Sequence, residues 1–90
     1  MKPIRSHIFC SKRWRIEWKK MRVNAGECEA PHERDKTIRL DPRLTERQLL
    51  EVIIHEGLHA CQWQLSEESV TETARDISRL LWRLVKAGRP

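Results

Sequence analysis

The chain predicts an α+β fold: a small antiparallel sheet of about three strands, followed by a two-helix hairpin. Two observations carry that expectation. Residues 14–20, WRIEWKK, alternate, so Trp14, Ile16 and Trp18 share one face while Arg15, Glu17 and Lys19 share the other. That period of two marks a half-buried strand. From Thr45 onward the apolar residues recur at helical spacing instead, in two runs separated by the stretch around Trp63.

The elements follow in order. After the strand at Trp14–Lys20, Asn24-Ala25-Gly26 is turn chemistry, and a short second strand is expected near Glu27 to Ala30. Pro31 ends it, and His32 to Lys36 reads as a polar loop. Thr37-Ile38-Arg39-Leu40-Asp41 is the third strand, with Ile38 and Leu40 inward and Asp41-Pro42 as its stop. Thr45 then opens a helix, and Gln48 three residues later completes a capping box. Leu49, Val52, Ile53 and Leu58 give that helix its apolar face through at least Ala60. Ser66 N-caps a second helix, with Glu67 and Glu68 in the first turn where the macrodipole favours them. Val70, Ala74, Ile77, Leu81 and Leu84 form its stripe, and Gly88 followed by Pro90 marks its end.

Ninety residues leave room for one domain over residues 1–90, with a basic sheet region at 1–44 and the helical hairpin at 45–90. A chain this short buries a thin core, so a staple such as a metal is needed more often than in larger domains. Hydrophobic residues at 39% and charged residues at 34% exclude a disordered chain or a membrane bundle. No run reaches the length of a membrane span, and the opening MKPIRSHIFCSKRW lacks a signal-peptide apolar region. A cytoplasmic protein is therefore expected. Cys10, Cys28 and Cys61 are an odd set with no CxxC pair, which argues against a disulfide framework or a zinc ribbon. Cys61 follows His59 by two residues, close enough to line the same pocket.

The net charge is +5, concentrated at the start: residues 1–22 carry Lys2, Arg5, Lys12, Arg13, Arg15, Lys19, Lys20 and Arg22 against Glu17 alone. With Trp14 and Trp18 interleaved, that end has the composition of a nucleic-acid contact. It equally has the composition of a solvated sheet face that keeps a small protein soluble.

The chemistry is concentrated in residues 55–59, HEGLH. Histidines at i and i+4 lie one turn apart on one helix face, where both imidazoles reach a single Zn²⁺. Glu56 flanks that face, placed to touch a metal-activated water without being a ligand. Zinc lowers the water's pKa towards about 7, and the glutamate takes its proton as general base. Catalytic zinc takes three protein ligands and an open position, so a third ligand is required beyond His55 and His59. The metzincin ending is absent, since the aligned positions hold Gln62 and Leu65. The acids of the second helix remain: Glu67, Glu68, Glu72 and Asp76. Counting back from a short turn around Trp63 to Leu65 sets Glu72 level with HEGLH. Helical side chains lean toward their own N-terminus, which carries the metal away from the turn and favours Glu72 over Glu67 and Glu68. Like charges at Glu68, Glu72 and Asp76 repel, and a cation would relieve that cost. Asp76 is then placed to hold a histidine's free N–H. Against this, Arg75, Arg79 and Arg83 form a basic row able to pair with the same acids.

The sequence IIHEGLHA (residues 53–60), the preceding TIRLD and the later SEESVTETARDISRLLWRL resemble the gluzincin branch of HExxH metallopeptidases. More loosely they resemble the compact SprT-like and ImmA/IrrE-like proteins. The resemblance covers about the last 55 residues and implies a zincin-like fold, a bound Zn²⁺ and a peptide or protein substrate. It implies that the strand before the active-site helix, Lys36 to Asp41, pairs with extended substrate. A ligand glutamate followed four residues later by aspartate matches Glu72 with Asp76. The ImmA-like pattern instead matches Glu67 followed by Val70, Ala74 and Ile77. The chain contains no tyrosine to stabilise an oxyanion, which leaves that role to His32 or an arginine.

Three functions from different classes follow. The first is a zinc metallopeptidase-like hydrolase with Glu56 as general base. The second is a catalytically silent, zinc-stabilised binding module. The third is a nucleic-acid-associated protein docking through its basic N-terminal strand.

Overall fold

The computed structural model describes residues 3–90; Lys2, counted in the basic run, lies outside the described residues. Four strands precede two helices: β1 (Ser6–Phe9), β2 (Lys12–Trp18), β3 (Gly26–Cys28), β4 (Thr37–Leu40), α1 (Glu46–Cys61) and α2 (Glu67–Ala87). The α+β class and the helical hairpin are as expected. The sheet differs: it has four strands in the order β1-β2-β4-β3, and it is mixed rather than antiparallel. Pairings β1–β2 and β3–β4 are antiparallel, whereas β2 and β4 run parallel with Ile16 opposite Ile38.

Two physical reasons account for the difference. Phe9 pairs with Lys12, so β1 and β2 are joined by the two-residue turn Cys10-Ser11. Both turn residues have positive φ, at 49° and 66°. Such turns normally announce themselves with Asn-Gly, which Cys-Ser does not. The second reason concerns the crossing segment 19–25. It carries the chain past the position that β4 later fills, which leaves β3 at the edge. Period-two alternation says which face a residue takes, but not which strand becomes its neighbour.

The inner face of the sheet packs on α1. Trp14, Ile38, Leu40 and Ala60 are its buried core, with Phe9, Ile16, Cys28, Leu49 and Val52 packed around them. The outer face is an ionic ladder. Arg39 donates to Glu29 at 2.7 Å and lies within 3.9 Å of Glu17 and 3.7 Å of Glu27, while Arg15 pairs with Asp35 at 3.2 Å. On β2 itself, Arg15 faces carboxylates whereas Arg13 donates to the Ser6 hydroxyl at 2.9 Å.

Asp41 ties the layers together. Its carboxylate accepts from the backbone N–H of Met21 and of Arg43, and from the Arg43 guanidinium at 2.7 Å. The guanidinium and those N–H donors hold the Asp41 carboxyl well below the usual carboxylate range. The bonds pin the crossing segment to the end of β4, directly before α1 begins. Thr45 caps α1 through the full capping box with Gln48, and Ser66 caps α2 by accepting from Ser69 N–H. Among the described residues α2 packs against α1 and not against the sheet. Val70, Ala74 and Ser78 are buried in that contact. Among the described residues no helix is long and apolar enough to cross a membrane.

A left-handed conformation costs a non-glycine residue about 1 kcal/mol or more. Ser11→Gly is therefore expected to stabilise the fold by roughly 0.5–1 kcal/mol, after the extra freedom glycine gives the unfolded chain. Thermal unfolding checks this; an unchanged or lower midpoint would contradict the turn geometry.

Candidate metal centre

Helix α1 presents His55 and His59 one turn apart, with ring centroids 4.9 Å from each other. Both rings face the same cleft, and the carboxylate of Glu67 meets both. His55 Nε2 lies 2.7 Å from Glu67 Oε1, and His59 Nε2 lies 2.8 Å from Glu67 Oε2. One donor atom from each of the three falls within 4.8 Å of the others. Two imidazole nitrogens and one carboxylate oxygen form the donor set of a His₂Glu site, so the residues fit a divalent metal.

The rotation of α2 decides which acid arrives. Val70 and Ala74 face α1 with no exposed surface. At about 100° per residue, Glu67 lies roughly 60° around the helix from Val70, whereas Glu72 lies about 200° away and Glu68 about 160°. Glu67 and Glu72, the ligand favoured from sequence, are both exposed, but Glu72 lies outside the convergent group. Its angle around the axis of α2, rather than its distance along it, separates it from Glu67. Glu68 is exposed on the same outer side. Asp76, expected behind a histidine, instead pairs with its neighbour Arg75 at 3.3 Å. The signal that selects Glu67 was available in the stripe Val70-Ala74.

Glu56 projects from the flank of α1 toward β3 and is 6% exposed. Burial pushes its carboxyl up to about 7; nearby His55 opposes the shift, and Glu67 and Glu27 reinforce it. Gly26 makes this packing geometrically feasible. A Cβ there would lie 2.7 Å from Val52 Cγ1, 3.1 Å from Glu56 Oε2 and 3.2 Å from the Arg39 carbonyl. Gly26 was read from sequence only as part of a turn. A glycine inside a strand, where another backbone or side chain approaches closely, is the clue that would have found it.

The cleft wall is β3 rather than β4. Residues 24–29 line it opposite α1, with Trp63 and Thr71 closing the other side. The expectation that Lys36 to Asp41 pairs with substrate is corrected here, because β4 is bonded on both edges, to β2 and to β3. Trp63, read only as turn, stands edge-on to His59 at 5.8 Å. His32, a candidate oxyanion donor, is exposed beside Glu33 and does not line the cleft. Cys61 does not line it either, whereas Cys28 does. Burial pushes the Cys28 thiol up to about 12, so it stays protonated at neutral pH and is no thiolate nucleophile. Five glutamates line the cleft (Glu27, Glu29, Glu51, Glu56 and Glu67), and no lysine or arginine does.

A sequence model of the SprT-like family matches residues 3–73, a span covering the four strands, α1 and the start of α2. Comparison with curated proteins and with solved structures returns no match.

Two outcomes test this geometry. Gly26→Ala should destabilise the fold by about 1–3 kcal/mol, the usual cost of forcing a methyl into packed structure. Chemical denaturation would expose an error if the variant were as stable as the parent. For the metal-free chain, a Glu56 carboxyl raised from 4.5 to about 7 means that the folded state binds the proton more tightly than the unfolded state. Stability from that proton is present below about pH 4.5 and is lost as pH rises towards 7. Glu56→Gln should flatten that decline, which thermal melts across the window would reveal.

Proposed function

This chain belongs to the SprT-like family, and on that footing we propose that it is a zinc-dependent, metallopeptidase-like hydrolase. The single observation that carries the reading is the convergence of His55, His59 and Glu67 beside the buried carboxyl of Glu56. His55, His59 and Glu67 hold the metal. A zinc ion held there supplies Lewis acidity toward a carbonyl and lowers the pKa of a water towards about 7. Glu56 accepts a proton from the attacking water and passes it to the leaving amine. Its buried position beside His55 holds the carboxylate within reach of that water. Gly26–Cys28 offers a free strand edge beside these groups, so an extended peptide adds to the sheet there through main-chain hydrogen bonds.

A second reading has its own support. Glu67 on α2 meets two residues of α1, so a metal at this point would staple the two helices of a thin-cored chain. In that reading the metal serves the fold and the protein is a catalytically silent binding module. Chelation that unfolds the chain, with no turnover of denatured protein, distinguishes it from the hydrolase. A third reading keeps the basic N-terminal run as a nucleic-acid contact: Arg15 is paired with Glu17 and Asp35, while Lys12, Lys19 and Lys20 stay exposed, and binding that weakens steeply with salt would support it.

Elemental analysis with cleavage of a denatured protein tests the hydrolase. The parent chain should hold zinc, Glu67→Ala should lose it, and Glu72→Ala should keep it. Glu56→Gln should keep zinc while cleavage falls about 10²–10⁴-fold. Zinc lost from Glu72→Ala and kept by Glu67→Ala would overturn the ligand set; undiminished cleavage by Glu56→Gln would overturn the mechanism.

A further inference from the structure

We propose that Cys10 and Cys61 are a redox-responsive pair, which a peroxide closes into a disulfide clipping the β1–β2 hairpin to the end of the metal-bearing helix. The two cysteines are 51 positions apart in sequence and meet in the fold: the Cys10 thiol donates to the Cys61 carbonyl over 3.9 Å. Cys10 is exposed to solvent and Cys61 is half-buried, so an oxidant reaches the first and the second is held beside it.

The hairpin turn places Cys10 there: the two-residue loop sets both Cys10 and Ser11 at positive φ, 49° and 66°. Here the conformation brings the Cys10 thiol against the last residue of α1. Cys28 donates to its neighbour's carbonyl at 3.3 Å and belongs to the cleft wall, so the thiol bonded to Cys61 is that of Cys10.

The chemistry balances with one equivalent of peroxide. The Cys10 sulfur attacks the peroxide oxygen, breaks the O–O bond and becomes a sulfenic acid as the first water leaves. The Cys61 sulfur then attacks the Cys10 sulfur, the S–S bond forms, and the sulfenic hydroxyl departs with the Cys61 proton as a second water. Two electrons pass from the sulfurs to the peroxide. Thiol reductants reverse the step. The clip fixes the helix end that carries His59 two residues earlier, and it fixes the start of the turn bearing Trp63. It does not depend on the metal reading, because its formation is read by mass alone.

The test uses the full chain, reduced, desalted and then exposed to hydrogen peroxide near one equivalent. The expected result is an intact mass lower by two hydrogens and, on non-reducing peptide mapping, a Cys10–Cys61 linked peptide. Cys28→Ser should keep the link, whereas Cys10→Ser and Cys61→Ser should each abolish it. All three variants should melt near the parent under reductant, which shows that they fold. Closing a loop of this length should raise the oxidised parent's midpoint by about 10 °C or more over the reduced form. A link to Cys28, an intermolecular dimer alone, or sulfinic acid without any cross-link would overturn the proposal.

Discussion

The burial of Val70 and Ala74 against α1 governs the rest of the metal centre. Those two residues have no exposed surface, and a helix buried along one line cannot turn about its own axis. Once α2 is fixed in phase, Glu67 must face the cleft and Glu68 and Glu72 must face water. The three residues that could hold a metal are thus brought together by an apolar contact that includes none of them. A larger residue at position 74 would rotate or lift α2, and the cost would fall on the carboxylate rather than on the core alone.

Much of this was legible in the sequence, and the reasons are local. Thr45, Gln48 and Ser66 cap their helices through bonds spanning three residues, which short-range pattern captures well. HEGLH likewise encodes its own geometry, because residues four apart on a helix share a face. What escaped depends on relations between distant segments. The parallel pairing of β2 with β4 and the edge position of β3 follow from how the segment 19–25 crosses, and no periodicity records that. β1 was missed because its turn is built from residues that tolerate the left-handed region poorly. Glu72 was favoured by a count of residues along the helix axis, when the angle around that axis was decisive.

Charge is arranged with a similar division of labour. The chain carries a net +5, yet the cleft is lined by carboxylates and the outer sheet face is close to internally neutral. Among the described residues, basic side chains without an acidic partner include Lys12 and Arg13 on β2, Lys19 and Lys20 after it, and Arg79 and Arg83 on α2.

Glu67 occupies the first position of α2, directly after its Ser66 cap. Terminal turns are the part of a helix that opens and closes fastest, within about a microsecond. A donor mounted there shares the fate of its turn: when the turn unwinds, the oxygen leaves with it. For a cation held at this site, capture and the winding of that first turn would be one equilibrium. Such an ion would clamp helix nucleation, and a weakened cap at Ser66 would show itself first as faster ion exchange.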